Sequence, residues 1–158
     1  MSDINIRGRT RAVPRILYGS EVPVIKILFS IFLILHGLVH LLYAGQSQRI
    51  FELQPGMTWP DGSWAFSRLA GVDGARILAT ILLIMGALLF VSAGAGSLFK
   101  ATWWRSIALA AAAYSSVLYL LLWDGGWQDL PGKGAVGILI NAVIAAAIYF
   151  LPQLQLTP

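Results

Sequence analysis

VIKILFSIFLILHGLVHLLY, residues 24–43, decides the fold: twenty residues carrying one formal charge, Lys26, close to one end. As an α-helix rising ~1.5 Å per residue, this run is ~30 Å long, the thickness of a bilayer's hydrocarbon layer. It is too long for the hydrophobic region of a signal peptide, and three more runs follow it. Ala75 to Phe99 carries Arg76 at its start and no further charge before Lys100; Trp103 to Trp123 is the third run; Gly134 to Leu151, halted by Pro152, is the fourth. The pattern predicts an all-α integral membrane protein, a four-helix up-down-up-down bundle over residues 24–151. A basic segment, 1–23, precedes it and a short tail, 152–158, follows.

Composition agrees. Of 158 residues, 58% are hydrophobic and 11% charged, with a mean hydropathy of +0.74. A core of this size cannot hide that apolar surplus from water, so much of it must face lipid. Cysteine is absent, which removes disulfides, thiolate metal sites and cysteine nucleophiles. The net charge of +4 is not gathered on an aromatic-interleaved basic face, so no nucleic-acid partner is expected. The cations report topology instead. Arg7, Arg9, Arg11, Arg15, Lys26, Lys100 and Arg105 fall on one side and Arg49, Arg68, Arg76 and Lys133 on the other, seven against four. This excess predicts that both termini are cytoplasmic, in a bacterial plasma membrane, with the N-terminal arginines against anionic headgroups. An arginine-rich transit peptide is the competing reading of that segment, and Pro14 and Pro23 break the helix it would need.

The connection from Ala44 to Val72 is long and keeps Phe51, Leu53, Met57, Trp59, Trp64, Phe66 and Leu69. Such a loop is expected to lie on the membrane or fold over the bundle mouth as a lid. Gln54-Pro55-Gly56 and Trp59-Pro60-Asp61-Gly62 read as turns, and Ser63 to Ala70 as a short interfacial helix ending at Gly71. Trp103, Trp104, Trp123, Trp127, Tyr43 and Tyr149 stand near run ends, where amphipathic rings favour the headgroup zone. Gly86, Gly94, Gly96, the alanines 110–113, and Gly137 with Ala145 mark where helices approach closely. Asp73 reads as the cap of the second span, with Arg76 snorkelling or paired to it.

His36 and His40, at i and i+4, project from one helix face. That spacing suits a shared metal ion, or a single axial ligand to haem or chlorophyll. It equally suits two neutral, hydrogen-bonded core imidazoles, since a polar group in lipid must find a partner. With Tyr43 as the outer end, His36 lies ~10 Å and His40 ~5 Å below that boundary. Thr80, Ser116 and Asn141 fall at the same level when counted from Asp73, Trp123 and Gly134, with Tyr119 a turn above Ser116. Convergence of His36, Thr80, Ser116 and Asn141 in a polar pocket beneath the loop is therefore expected. The competing reading has the Ser and Thr hydroxyls bonded to their own helix backbones.

In HGLVHLLY, in Trp103-Trp104 before the third span, and in LLWDG followed by the span with Asn141, the chain resembles a broad group of small bacterial four-helix membrane proteins of unassigned function. Its overall shape is similar to DoxX-like proteins. The 44–72 loop is longer than is usual in that group. Three functions fit. One is an accessory or assembly subunit packed against other membrane proteins or its own copies. Another is a metal, haem or pigment-binding redox module built on His36 and His40. The third is a small-solute or lipid carrier using the outer pocket. No motif of a known catalytic class is present.

Overall fold

The protein is described from a computed structural model that covers residues 21–151 and Leu154. The basic segment with Arg7, Arg9, Arg11 and Arg15, and the rest of the C-terminal tail, lie outside the described residues. Four helices follow in order: α1 (Glu21–Ser47), α2 (Ser67–Leu98), α3 (Trp104–Leu122) and α4 (Ala135–Phe150). The first three are long and apolar enough to cross a membrane; α4, with 16 residues, is shorter. A membrane protein is what these helices describe, since α1 alone leaves Leu28, Leu35, Leu38 and Leu42 exposed along its length.

Two element ends differ from those read in the sequence. α1 runs a turn past Tyr43 to Ser47, because Ala44 to Ser47 stay in register and bury Ala44, Gln46 and Ser47. α2 begins at Ser67 rather than at Asp73, and its first turn is set off by Gly71, whose φ of 69° leaves the helical region. Glycine takes that conformation without the clash a Cβ would introduce.

Sequential helices pack on one another, α1 on α2 most extensively. Glycines allow it. A Cβ at Gly94 would lie 2.6 Å from Ile34 Cγ1 and 2.7 Å from the Ser30 carbonyl, and one at Gly37 would lie 3.0 Å from the Ala87 carbonyl. Below the histidines, Leu33, Phe90, Ala108, Ala111 and Ile144 form one core around Trp104. Trp104 is 2% exposed and sits edge-on to Phe29. It is a core side chain and not the interfacial ring its position near a run end suggests; Trp103, 50% exposed, is the outward member of the pair.

Close approach at Gly94 generates a prediction. Gly94→Val should destabilise the bundle by ~1–3 kcal/mol, the usual penalty for overpacking, as read from unfolding in mixed dodecyl maltoside and SDS micelles. Ala110→Val, on an exposed helix face, should leave the midpoint within error of the parent.

Candidate functional site

α1 aims His36 and His40 into the bundle, where they are 6% and 0% exposed. The His36 ring stacks on Phe32 and meets Phe90 edge-on at 4.6 Å. His40 lies 5.8 Å from Tyr119, which in turn contacts Tyr43 and Trp59. Gly86 makes the room, since a Cβ there would stand 3.0 Å from His40 Cδ2.

Two hydrogen-bonded chains engage three of the four ring nitrogens. Ser116 donates its hydroxyl to the Ala112 carbonyl at 2.8 Å, Asn141 Nδ2 donates to Ser116 Oγ at 3.1 Å, and Asn141 Oδ1 faces His36 Nε2 at 3.0 Å. An amide oxygen only accepts, so the His36 proton is on Nε2. His40 Nδ1 lies 3.0 Å from the His36 carbonyl and must donate to it; a neutral ring then accepts at Nε2 from the Ser115 hydroxyl, 2.8 Å away. The two histidines, one turn apart, thus carry opposite tautomers and tie α1 to α4 and to α3.

The structure brings His36, Asn141 and Ser116 together and places Thr80 elsewhere. Thr80 Oγ1 donates to the Arg76 carbonyl at 2.8 Å and meets Ser47 and Gln48 at 2.6 Å each. Its level was counted from Asp73, but α1 extends to Ser47 and meets α2 there, so Thr80 lies near the end of α1, above the histidines. Ser116 and Thr80 both bond their own helix backbone as well. Tyr119 is 3% exposed and packs on His40 with its ring. Ser115, fully buried, is the partner that reading the sequence missed. It neighbours Ser116, and adjacent helix positions point in different directions that spacing alone cannot rank.

Ligation by both histidines does not fit this donor set. A metal shared between them needs a bare lone pair on each ring, whereas both His40 nitrogens and Nε2 of His36 are engaged. Among the described residues no group of three His, Cys, Asp or Glu could hold a metal. For a single axial bond to haem or chlorophyll, His36 Nδ1 is the one ring nitrogen these hydrogen bonds leave over.

Over the histidines the long loop is fastened by charge. Asp61 receives Arg76 Nε and Nη2, both at 2.7 Å, and Arg49 at 2.6 Å. Arg49 also donates to the Met57 and Thr58 carbonyls at 2.7 Å. Arg76 therefore belongs chiefly to the loop; its contact with Asp73 is 3.4 Å long and Asp73 is 92% exposed. Ser63 Oγ and Trp64 Nε1 bond the Leu121 and Leu120 carbonyls at the end of α3. Beneath them Trp59, 5% exposed, closes the bundle mouth, and its Nε1 has no acceptor among the described residues. A cavity of about 240 Å³ above Trp59 is lined by Met57, Thr58, Asp124, Asp129 and Lys133, with Lys133 paired to Asp124 at 2.7 Å.

No family model, curated protein or solved structure matches the chain, so the likeness in HGLVHLLY remains one of short motifs.

Two predictions follow from this geometry. In a double-mutant cycle of His36→Leu and Asn141→Leu, each single change should cost ~1–3 kcal/mol by stranding its buried partner, and the double change less than their sum. Additive penalties in micelle unfolding would remove the bond from the account. For the loop, hydrogen bonds from Arg76 hold the Asp61 carboxyl below its usual range, partial burial opposes them, and Arg49 adds to them. A depressed carboxylate stabilises fully above its unfolded pKa of about 3.9 and loses that contribution as pH falls through its lower folded value. Tryptophan emission should therefore stay unchanged from neutral pH to about 4 and shift red only below it. Asp61→Asn should show the shifted emission already at neutral pH.

Proposed function

We propose that the protein is a small accessory subunit of a larger membrane assembly. It crosses the bilayer four times in an up-down-up-down bundle, with both termini in the cytoplasm of a bacterial plasma membrane. The observation that carries this reading is an open groove of about 680 Å³ between α3 and α4, lined by Arg105, Ser106, Leu109, Ala145, Ala146 and Tyr149. In lipid there is no hydrophobic force between helices, so association depends on close packing at small side chains and on polar contacts. Ala145 and Ala146 supply the small floor, and Arg105 and Ser106 the polar edge. α4 buries only Asn141, Ile144 and Ile148, which leaves Val136, Leu139, Val143, Tyr149 and Phe150 facing outward. A transmembrane helix of a partner, or of a second copy, completes this side.

The four-crossing topology rests on α4. Its 16 residues span ~24 Å, a few ångströms short of the hydrocarbon thickness. Local thinning and the flanking Lys133, Trp127 and Tyr149 accommodate that difference. The lysine and arginine excess sets the orientation.

The cysteine-free chain makes the test direct. Ala146→Cys provides a single cross-linking handle in native membranes, and it should give one defined adduct. Ala145→Phe with Ala146→Phe, filling the groove, should lower recovery of that partner in mild detergent by at least about tenfold while the bundle elutes unchanged. Recovery of the parent chain only as a lone, uniform monomer, or an adduct pattern indifferent to the filled groove, would overturn the assignment.

A further inference from the structure

At the end of the bundle away from the loop stand three cations that make no ion pair among the described residues. Lys26 lies near the start of α1, Lys100 just after α2 and Arg105 at the start of α3. Lys26 and Lys100 border one cavity, and the Lys26 ammonium sits 5.8 Å from the centre of the ring of Trp104, the residue before Arg105. The ion pairs among the described residues use Arg49, Arg76 and Lys133 with Asp61, Asp73 and Asp124, all at the loop end.

Lys26 and Lys100 line a cavity of about 150 Å³ between α1 and α2, together with Ile27, Ser30, Ser97 and Leu98. The two hydroxyls there differ. Ser30 donates to the Lys26 carbonyl at 2.7 Å. Ser97 is 1% exposed and its Oγ has no hydrogen-bond partner among the described residues. A buried hydroxyl without a partner and neighbouring like charges beside apolar surface are each unfavourable alone. One bound anion relieves both.

We propose that this cavity holds the phosphate of an anionic phospholipid. Lys26 and Lys100 supply the counter-charges, the Ser97 hydroxyl is the donor, and Arg105 adds attraction at longer range. A cavity of this size takes a headgroup phosphate and leaves acyl chains outside. Those chains lie outside, against Ile27, Leu28, Leu98 and Phe99, which are 47%, 61%, 41% and 85% exposed. That apolar rim favours a lipid over a free anion. Basic pockets between membrane helices hold phosphorylated headgroups by the same chemistry. This site shares Arg105 with the α3–α4 groove and no other lining residue, and either assignment can fail without the other.

Native mass spectrometry of the full chain, released from micelles containing dioleoyl phosphatidylglycerol or dioleoyl phosphatidylcholine, tests it. One phosphatidylglycerol should be retained per chain, with a preference of about tenfold or more over phosphatidylcholine. Lys26→Gln with Lys100→Gln should abolish the preference. Ser97→Ala should weaken it severalfold at unchanged net charge, and Arg68→Gln, which removes a cation at the loop end, should leave it intact. Circular dichroism checks folding; should the double variant fail to fold, Lys100→Gln, at an exposed position, carries the comparison alone. Equal retention of the two lipids, equal losses in Arg68→Gln and Lys100→Gln, or indifference to Ser97→Ala would overturn the proposal. So would displacement of the lipid by millimolar inorganic phosphate, which would assign the cavity to a free anion.

Discussion

A polar group inside a membrane protein has no water to turn to, and that constraint organises this bundle. His36 and His40 bring four ring nitrogens into the buried face of α1, between Leu33, Gly37 and Ala44. Three of the four are met by groups fixed by the fold: Asn141 of α4, Ser115 of α3 and the backbone of α1 itself. Each bond is modest; in membranes such contacts average well under 1 kcal/mol. Leaving one of these groups stranded is the larger penalty, so the bonds act mainly by excluding other arrangements. α1 can turn about its axis or slide along it only by breaking both links at once.

Close packing has the complementary role. Gly37 and Gly94 let the α1 and α2 backbones approach, and Gly86 leaves space for the His40 ring. Ridge-and-groove contact of this kind fixes distance, while the histidine bonds fix rotation and depth. At the loop end a third device appears, the carboxylate of Asp61 held between two guanidinium groups. It joins Arg49 just beyond α1 and Asp61 of the loop to Arg76 of α2, and it keeps Trp59 seated over Tyr43 and Tyr119. Ion pairs exposed to water contribute little. These side chains are 20–28% exposed and bidentate on the Arg76 side, the geometry in which such a pair holds a loop in place.

Helix existence was legible because twenty apolar residues in a row admit one solution in lipid. The ends were not: Ala44 to Ser47 look like loop by composition and are helical because neighbours bury them, and the short helix read over Ser63 to Ala70 starts at Ser67 and runs into α2 across Gly71 rather than standing apart from it. For the histidine cluster, depth could be counted along each helix and direction could not. His36, Asn141 and Ser116 meet; Thr80, placed at the same level by counting, belongs to the network around Ser47. Ser115 and Ser116 were indistinguishable by type and differ only in which way α3 turns them. Arg76 was legible as a charge needing a partner, but Asp73, three positions away, concealed Asp61, fifteen positions away across the loop. Local spacing favours the near acid, and the loop's own fold decides for the far one.

The fourth helix shows how these constraints combine. α4 is the shortest of these four helices and buries three of its residues, too few for apolar contact alone to set its position. Asn141 is one of the three, and it bridges α1 and α3 at once through its carbonyl and its amide. A turn or more below it Ile144 and Ile148 enter the core around Trp104, and one turn above it Gly137 lies against the Tyr119 ring. Asn141 is therefore the fixed point from which the depth and facing of α4 follow. The outward groove of Ala145 and Ala146 owes its alignment to that one buried amide. A buried polar link of this kind has its best-attested role in setting register, and here the register it sets is that of the α4 face that carries the groove.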